Sequence, residues 1–222
     1  MGAGYDGIEY AIKAVATTPH APAAEWFCQS LASYCGLPTP QFKTVELPTG
    51  ELAFGSRWDA SALERMEATA VLLGQKPGHN IPASLSAIYA FDLFVYNADR
   101  HAGNHMVVTS KSDHSLVTYD FSRAFTFHGW PPPKLPMPAN SNTVVTYSIL
   151  RTKQPFEIDP AINILERINA VPVVKVKEFL EQMPVEWMQK KARKSIVQWW
   201  SSGARKLLVD AIKTGLKNGT YL

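Results

Sequence analysis

Asn97-Ala98-Asp99-Arg100-His101-Ala102-Gly103-Asn104-His105, followed sixteen residues after Asn104 by Asp120-Phe121-Ser122, decides how this sequence is read. Upstream, Ser84 is placed to cap a helix that runs to about Tyr96. Leu85, Ile88, Tyr89, Phe91, Leu93, Phe94 and Val95 cover nearly its whole surface, so the helix is predicted to be buried. Residues 97–105 then form a polar loop. Two short strands are predicted at 106–109 and 115–119, joined by residues 110–114. A buried helix thus delivers a loop holding an acid and an amide, and a hairpin carries the chain out and back to a second acid.

Phosphoryl transfer from ATP needs this set of parts. One carboxylate orients the accepting hydroxyl and takes its proton, while an amide oxygen and a second carboxylate hold Mg²⁺ against the phosphates. Asp-x4-Asn followed by a hairpin and Asp-Phe has the spacing of a protein-kinase catalytic loop, although Asn97-Ala98 stands where His-Arg precedes the Asp in ordinary kinases. Blander roles compete: Asp99 and Asn104 are residue types that close turns. Asp120 is the strongest single residue, because a carboxylate ending an apolar strand is costly to bury unless it binds something. A rival reading takes His101 and His105, four residues apart, with Asp99 and Asp120 as ligands to Zn²⁺ or Mn²⁺ in a metal-dependent hydrolase. Gly103 between the histidines and the lack of a third-ligand motif count against it.

Working outward, residues 8–15 alternate as a strand with Ile8, Tyr10 and Ile12 on one face, which turns Lys13 to the face shared by Glu9 and Ala11. A helix follows, with Thr17 and Thr18 as cap candidates, Pro22 in its first turn, Glu25 within it, and Gly36 as its stop. Residues 41–54 read as a hairpin turning at Pro48-Thr49-Gly50, and Gly55-Ser56-Arg57 as a connector. The lobe boundary is expected between residues 54 and 60, a helix at 60–73 and a loop from Gly74 to Pro82. Prolines at 131, 132, 133, 136 and 138 rule out regular structure there, and from about residue 160 the pattern is helical, broken by Pro172 and Pro184. Trp199 and Trp200 belong to those last helices and are expected to pack inside them.

The 222 residues suffice for one compact domain or two small lobes around a cleft. Residues 1–110 hold 6 Lys/Arg against 10 Asp/Glu, and residues 111–222 hold 16 against 9, so the basic excess gathers in the C-terminal helices. A solvated helix face accounts for such a run, and no nucleic-acid partner is inferred. The most apolar stretch is short and carries Asp92, so no membrane span is expected. Cys28 and Cys35 lie seven residues apart, too far along a helix to bond; they read as reduced core thiols of a cytoplasmic protein.

The block from Asn97 to Asn104 with Asp120-x-x-x-Ala124-Phe125 resembles the HipA-like kinases and, more distantly, the phosphatidylinositol kinases. Glu9-Tyr10-Ala11-Ile12-Lys13, Glu25, Gly36-Leu37-Pro38-Thr39-Pro40, Leu52-Ala53-Phe54-Gly55-Ser56 and Met183-Pro184-Val185-Glu186-Trp187 agree in order. The resemblance implies an α+β, two-lobed kinase-like fold, with a minimal β-rich small lobe at 1–56 and a mostly helical large lobe at 57–222. It implies an ATP- and Mg²⁺-dependent serine/threonine protein kinase, a family in which some members are bacterial toxins. Residue by residue, Lys13 would contact the ATP phosphates and pair with Glu25. Phe54, Gly55 and Ser56 would form the hinge against adenine, Asp99 would be the catalytic base, and Asn104 and Asp120 would hold Mg²⁺. Only twelve residues precede Lys13, so the first small-lobe strand is expected to be missing, with residues 2–7 as a stump of the phosphate-covering loop. That shortening suggests two further readings: a pseudokinase that binds without turnover, and a second chain that completes the small lobe.

Overall fold

The computed structural model describes residues 1–4, 7–110 and 113–222. The expectation of a phosphate-loop stump at 2–7 and the turn of the second hairpin lie in part outside the described residues. Strands β1 (Gly2–Ala3), β2 (Glu9–Lys13), β3 (Phe42–Glu46) and β4 (Leu52–Arg57) form one antiparallel sheet in the order β1-β2-β4-β3, with helix α1 (Ala21–Tyr34) against it. A strand therefore does precede the Lys13 strand, although it is two residues long and pairs only with Tyr10 and Glu9.

β4 runs straight through Gly55-Ser56-Arg57, where a connector was expected. Its register sets Lys13 opposite Phe54, Ala11 opposite Ser56 and Tyr10 opposite Arg57. Two neighbouring strands supply ladder hydrogen bonds along its length, which overrides the turn signal of a lone glycine. Gly55 is instead a close-approach position: a Cβ there would lie 2.8 Å from Val45 Cγ1 and 3.5 Å from a Tyr10 ring carbon. Alternation then puts Phe54 and Ser56 on the opposite face, the one that carries Ala11 and Lys13.

Helix α1 has Pro22 in its first turn and ends before Gly36, which takes φ +81. Its N-cap is His20, without a side-chain cap bond; the expected caps, Thr17 and Thr18, sit in the preceding turn, where the Thr17 hydroxyl donates to the Ala14 carbonyl. The expected Ser84 cap is likewise displaced. α3 (Ile81–Val95) opens three residues earlier, with Pro82 in its first turn, and Ser84 lies inside it. α2 (Arg65–Leu72) is shorter than the predicted 60–73, because Ala62 pairs with Val108 before the helix begins. β5 (His105–Ser110) and β6 (Asp113–Thr118) form the second hairpin.

α4 (Asn142–Leu150) was not foreseen; its composition is β-branched and its polar face weak, and a Ser141 side-chain cap on the Val144 N–H starts it. α5 (Ile158–Ala170), α6 (Val173–Gln182), α7 (Lys190–Ser201) and α8 (Ala204–Lys217) follow, with Pro172 and Pro184 at the breaks as expected. α3 packs along α5 and against α8 at the centre of the helical part. Phe27 of α1 stacks on Phe125 at 4.0 Å and an interplanar angle of 8°, joining α1 to the segment after Asp120. Trp200 is buried between Phe27 and Phe94 and donates from its indole N–H to the Val171 carbonyl at 3.1 Å, so the tryptophan pair is internal packing. Cys28 and Cys35 are both free and buried, and burial pushes the Cys35 thiol up to about 12. No helix among the described residues is long and apolar enough to cross a membrane.

Candidate active site

The cleft lies under β2 and β4. A cavity of about 190 Å³ is lined by Ala11, Lys13, Phe54 and Ser56 from the sheet, Glu25 and Gln29 from α1, and Trp58, Tyr119 and Asp120. Five of the predicted site residues, Lys13, Glu25, Phe54, Ser56 and Asp120, meet there. Gly55 is turned to the other face of the sheet, and Asp99 and Asn104 lie outside this lining.

Asp120 follows β6 in a left-handed conformation, φ 60, a strained state for a non-glycine residue that aims it off the end of the hairpin. Its carboxylate meets the Lys13 ammonium at 3.3 Å. The Ser122 hydroxyl lies 2.5 Å from Asp120 Oδ1 and 3.0 Å from Glu25 Oε1. One hydroxyl carries one proton, so the two carboxyls share a single donor. Of the two carboxyls Glu25 is the one that takes up a proton first, since burial pushes it up to about 7, with the neighbouring Asp120 charge adding to the effect. Burial pushes Asp120 the same way, but the Lys13 charge, the Ser122 hydroxyl and the Arg100 charge together hold it below the usual carboxylate range. Lys13 accordingly pairs with Asp120 and not with Glu25, the partner expected from the sequence. Glu25 is occupied by Ser122, by the Gln29 amide at 3.1 Å and by the Phe121 backbone N–H.

The loop from 97 to 104 is held by Arg100, which is 0% exposed. Its Nε and Nη2 each donate to Asp92 of α3 at 2.9 Å, a bidentate pair, and the Asn97 amide also donates to Asp92. Its Nη1 donates to the carbonyls of both Asn104 and Tyr119, so one nitrogen ties the loop to the residue before Asp120. Asp92 keeps Arg100 charged against the burial that would favour loss of its proton. From the other side, α4 clamps the same loop. Thr143 Oγ1 accepts from the Arg100 N–H at 2.9 Å and donates to the Asn97 carbonyl, and the Asn142 amide donates to Asp99 Oδ1 at 2.6 Å. Arg123 Nε approaches the other Asp99 oxygen at 3.4 Å from an exposed position.

Asn104 Nδ2 is committed to the Asp99 carbonyl at 3.2 Å, which leaves its Oδ1 as the free acceptor among the described residues. An amide oxygen and a carboxylate are hard donors of the kind Mg²⁺ takes, and the ammonium beside Asp120 suits phosphate oxygens, so the chemistry of Asn104, Asp120 and Lys13 fits Mg·ATP. His105 has both ring nitrogens taken by protein groups and is not free to join His101 as a metal ligand. His101 Nδ1 accepts from the Gly103 N–H, while the buried His105 ring meets the His101 carbonyl and the Tyr147 hydroxyl. Among the described residues no three His, Cys, Asp or Glu side chains converge, so the rival set of His101, His105, Asp99 and Asp120 is not brought together.

Sequence reasoning missed Arg100 and Asp92 as the organising pair, although a lone acid inside a wholly apolar helix asks for a buried cation. It also missed Gln29, Trp58, Tyr119, Ser122, Asn142 and Thr143. Trp58, Tyr119, Asn142 and Thr143 act through contacts distant in the chain, whereas Gln29 and Ser122 bond Glu25 and Asp120 four and two residues away, a spacing that could have found them.

The family model described as HipA-like kinase matches residues 2–211, and the chain belongs to that family. Among solved structures, the Helicobacter pylori proinflammatory kinase CtkA superposes with a TM-score of 0.59 at 11% identity, over 97% of this chain and 93% of that one. HipA from Shewanella oneidensis, solved in a toxin–antitoxin complex with HipB and operator DNA, gives 0.54 at 13% identity. It covers 88% of this chain, which spans 58% of HipA's length. A search of curated proteins by sequence returned no match. The fold is thus α+β and kinase-like, and family and fold together support a kinase-like phosphotransferase.

Proposed function

We propose that this protein binds Mg·ATP in the cleft beneath β2 and β4 and transfers the γ-phosphoryl group to a serine or threonine of a protein substrate in the cytoplasm. The observation that carries the reading is convergence. Lys13, Glu25 and Asp120 meet in one cavity, and a single Arg100 nitrogen binds the carbonyls beside Asn104 and Asp120. Lys13 holds phosphate oxygens, and Asn104 with Asp120 holds the metal, which when bound neutralises charge on the transferring group. Asp99 has one oxygen fixed by Asn142, and its other oxygen, once the exposed Arg123 swings off it, takes the proton of the acceptor hydroxyl. As that hydroxyl oxygen bonds to the γ-phosphorus, the bond to ADP breaks.

The second reading, a nucleotide-binding module without turnover, draws on the Lys13–Asp120 pair that stands where a Lys13–Glu25 pair was expected. Calorimetry with ATP, with and without Mg²⁺, on wild type and Asp120→Ala tests the site: binding should require Mg²⁺ and vanish in the variant. Phosphotransfer should fall by roughly 10²–10⁴-fold in Asp99→Asn while ATP binding persists. Binding without any transfer selects the module, and absence of binding removes both readings. A strand from a second chain belongs to the same proposal, since β1 covers only Glu9 and Tyr10 on that edge of β2. Elution as a monomer with full ATP affinity would count against it.

A further inference from the structure

The turn after Asp120 sends a charged side chain to the acceptor end of the site. Its backbone is anchored. Phe121, Ala124 and Phe125 are buried, the Ala124 N–H donates to the Phe121 carbonyl at 3.0 Å, and the Phe125 N–H donates to the Val95 carbonyl of α3 at 2.7 Å. Between these anchors the Arg123 side chain is 59% exposed, and its Nε lies 3.4 Å from Asp99 Oδ2. The Phe127 ring backs the guanidinium at 5.9 Å, and neither Nη nitrogen forms a hydrogen bond among the described residues.

An ion pair this exposed contributes little to stability and is easily parted. Its place is what matters. Asn142 holds Asp99 Oδ1 at 2.6 Å, so the oxygen beside Arg123 is the one left for an acceptor hydroxyl. A hydroxyl that reaches Oδ2 takes the place of Arg123 Nε and has an open guanidinium fork next to it. An extended chain advances about 3.3 Å per residue, so the fork stands beside the residues one or two along from the acceptor. A carboxylate there can accept two parallel N–H bonds, whereas a lysine or arginine meets a like charge.

Resting on the phosphotransfer reading above, we propose that Arg123 selects the substrate: the segment this protein phosphorylates carries an aspartate or glutamate within two residues of its serine or threonine. The acid draws Arg123 off Asp99 and uncovers the base in the same movement. A neutral segment breaks the Arg123–Asp99 contact with no replacement, and a basic one adds repulsion.

The test is a peptide array assayed with Mg²⁺ and labelled ATP. Each peptide holds one serine or threonine, with glutamate, alanine or lysine in turn at the two positions on either side. Wild type, Arg123→Met and Arg123→Glu are compared by kcat/KM; the side chain is exposed, so neither substitution disturbs the core. Wild type should favour the best glutamate-flanked peptide over its alanine counterpart by about three- to tenfold, with the lysine counterpart poorer still. That preference should shrink as salt is raised. Arg123→Met should level the three peptides, and Arg123→Glu should favour lysine over glutamate, an inversion that loss of folding or of ATP binding cannot produce. Transfer by wild type without a preference for the acid, or with the same preference in Arg123→Met, overturns this proposal alone. A wild type that binds Mg·ATP yet phosphorylates no member of the array overturns the phosphotransfer reading and this one with it.

Discussion

Replacing Asp92 by asparagine should damage this protein more than any surface change near the cleft. The substitution keeps the shape of the side chain but removes the charge facing Arg100, and both groups are 0% exposed. Two donors at 2.9 Å lose their anionic acceptor, and a guanidinium is left buried without a counter-charge. Breaking one side of such a pair costs about 3–5 kcal/mol. For a chain of this size each kcal/mol moves the melting temperature by roughly 2–4 °C, so a fall of about 6–20 °C is expected. The damage should also reach the cleft, because the Arg100 fork holds the Asn104 and Tyr119 carbonyls as well as Asp92. The double variant Asp92→Leu with Arg100→Met removes both charges together. It should recover most of the stability while phosphotransfer stays lost, since those two carbonyls lose their common donor. Calorimetric melting of the single and double variants gives the answer. A single variant within 2 °C of wild type, or a double variant less stable than either single one, would refute the argument that the pair organises the loop.

Two further outcomes follow from other contacts. Asn142→Ala removes the donor on Asp99 Oδ1 and should lower kcat for phosphotransfer several-fold with ATP affinity unchanged; a change in KM for ATP alone would place Asn142 outside the positioning of Asp99. His105 is buried neutral, with its pKa lowered to about 3 by burial first and by the Arg100 charge next. The unfolded chain takes up that proton near pH 6.5 and the folded one does not, so stability is lost as pH falls from about 6.5 towards 3. The melting temperature should fall less steeply over that range in His105→Gln, and equal slopes would contradict the burial of a neutral ring.

What the sequence determined by itself is the local order of parts. Spacing and polarity placed Asp99, Asn104 and Asp120 around a hairpin at the end of a buried helix, and alternation turned Lys13 to the face that lines the cleft. These signals are local, because a strand shows its two faces at every second residue and a helix shows its apolar surface at every turn. The same locality misled where a neighbour in space overruled the chain: Gly55 reads as a break until two strands pair with it, and Ser84 reads as a cap until Pro82 opens the helix earlier. Which charge meets which partner was decided only by the tertiary structure. The family resemblance pairs Lys13 with Glu25, yet burial raises Glu25 while Asp120 stays below the usual carboxylate range, and it is Asp120 that meets Lys13. Asp92 and Arg100, Asn142 and Asp99, Gln29 and the cavity all depend on how far a group is removed from water. That depth is a property of the packed molecule, and no short stretch of sequence carries it.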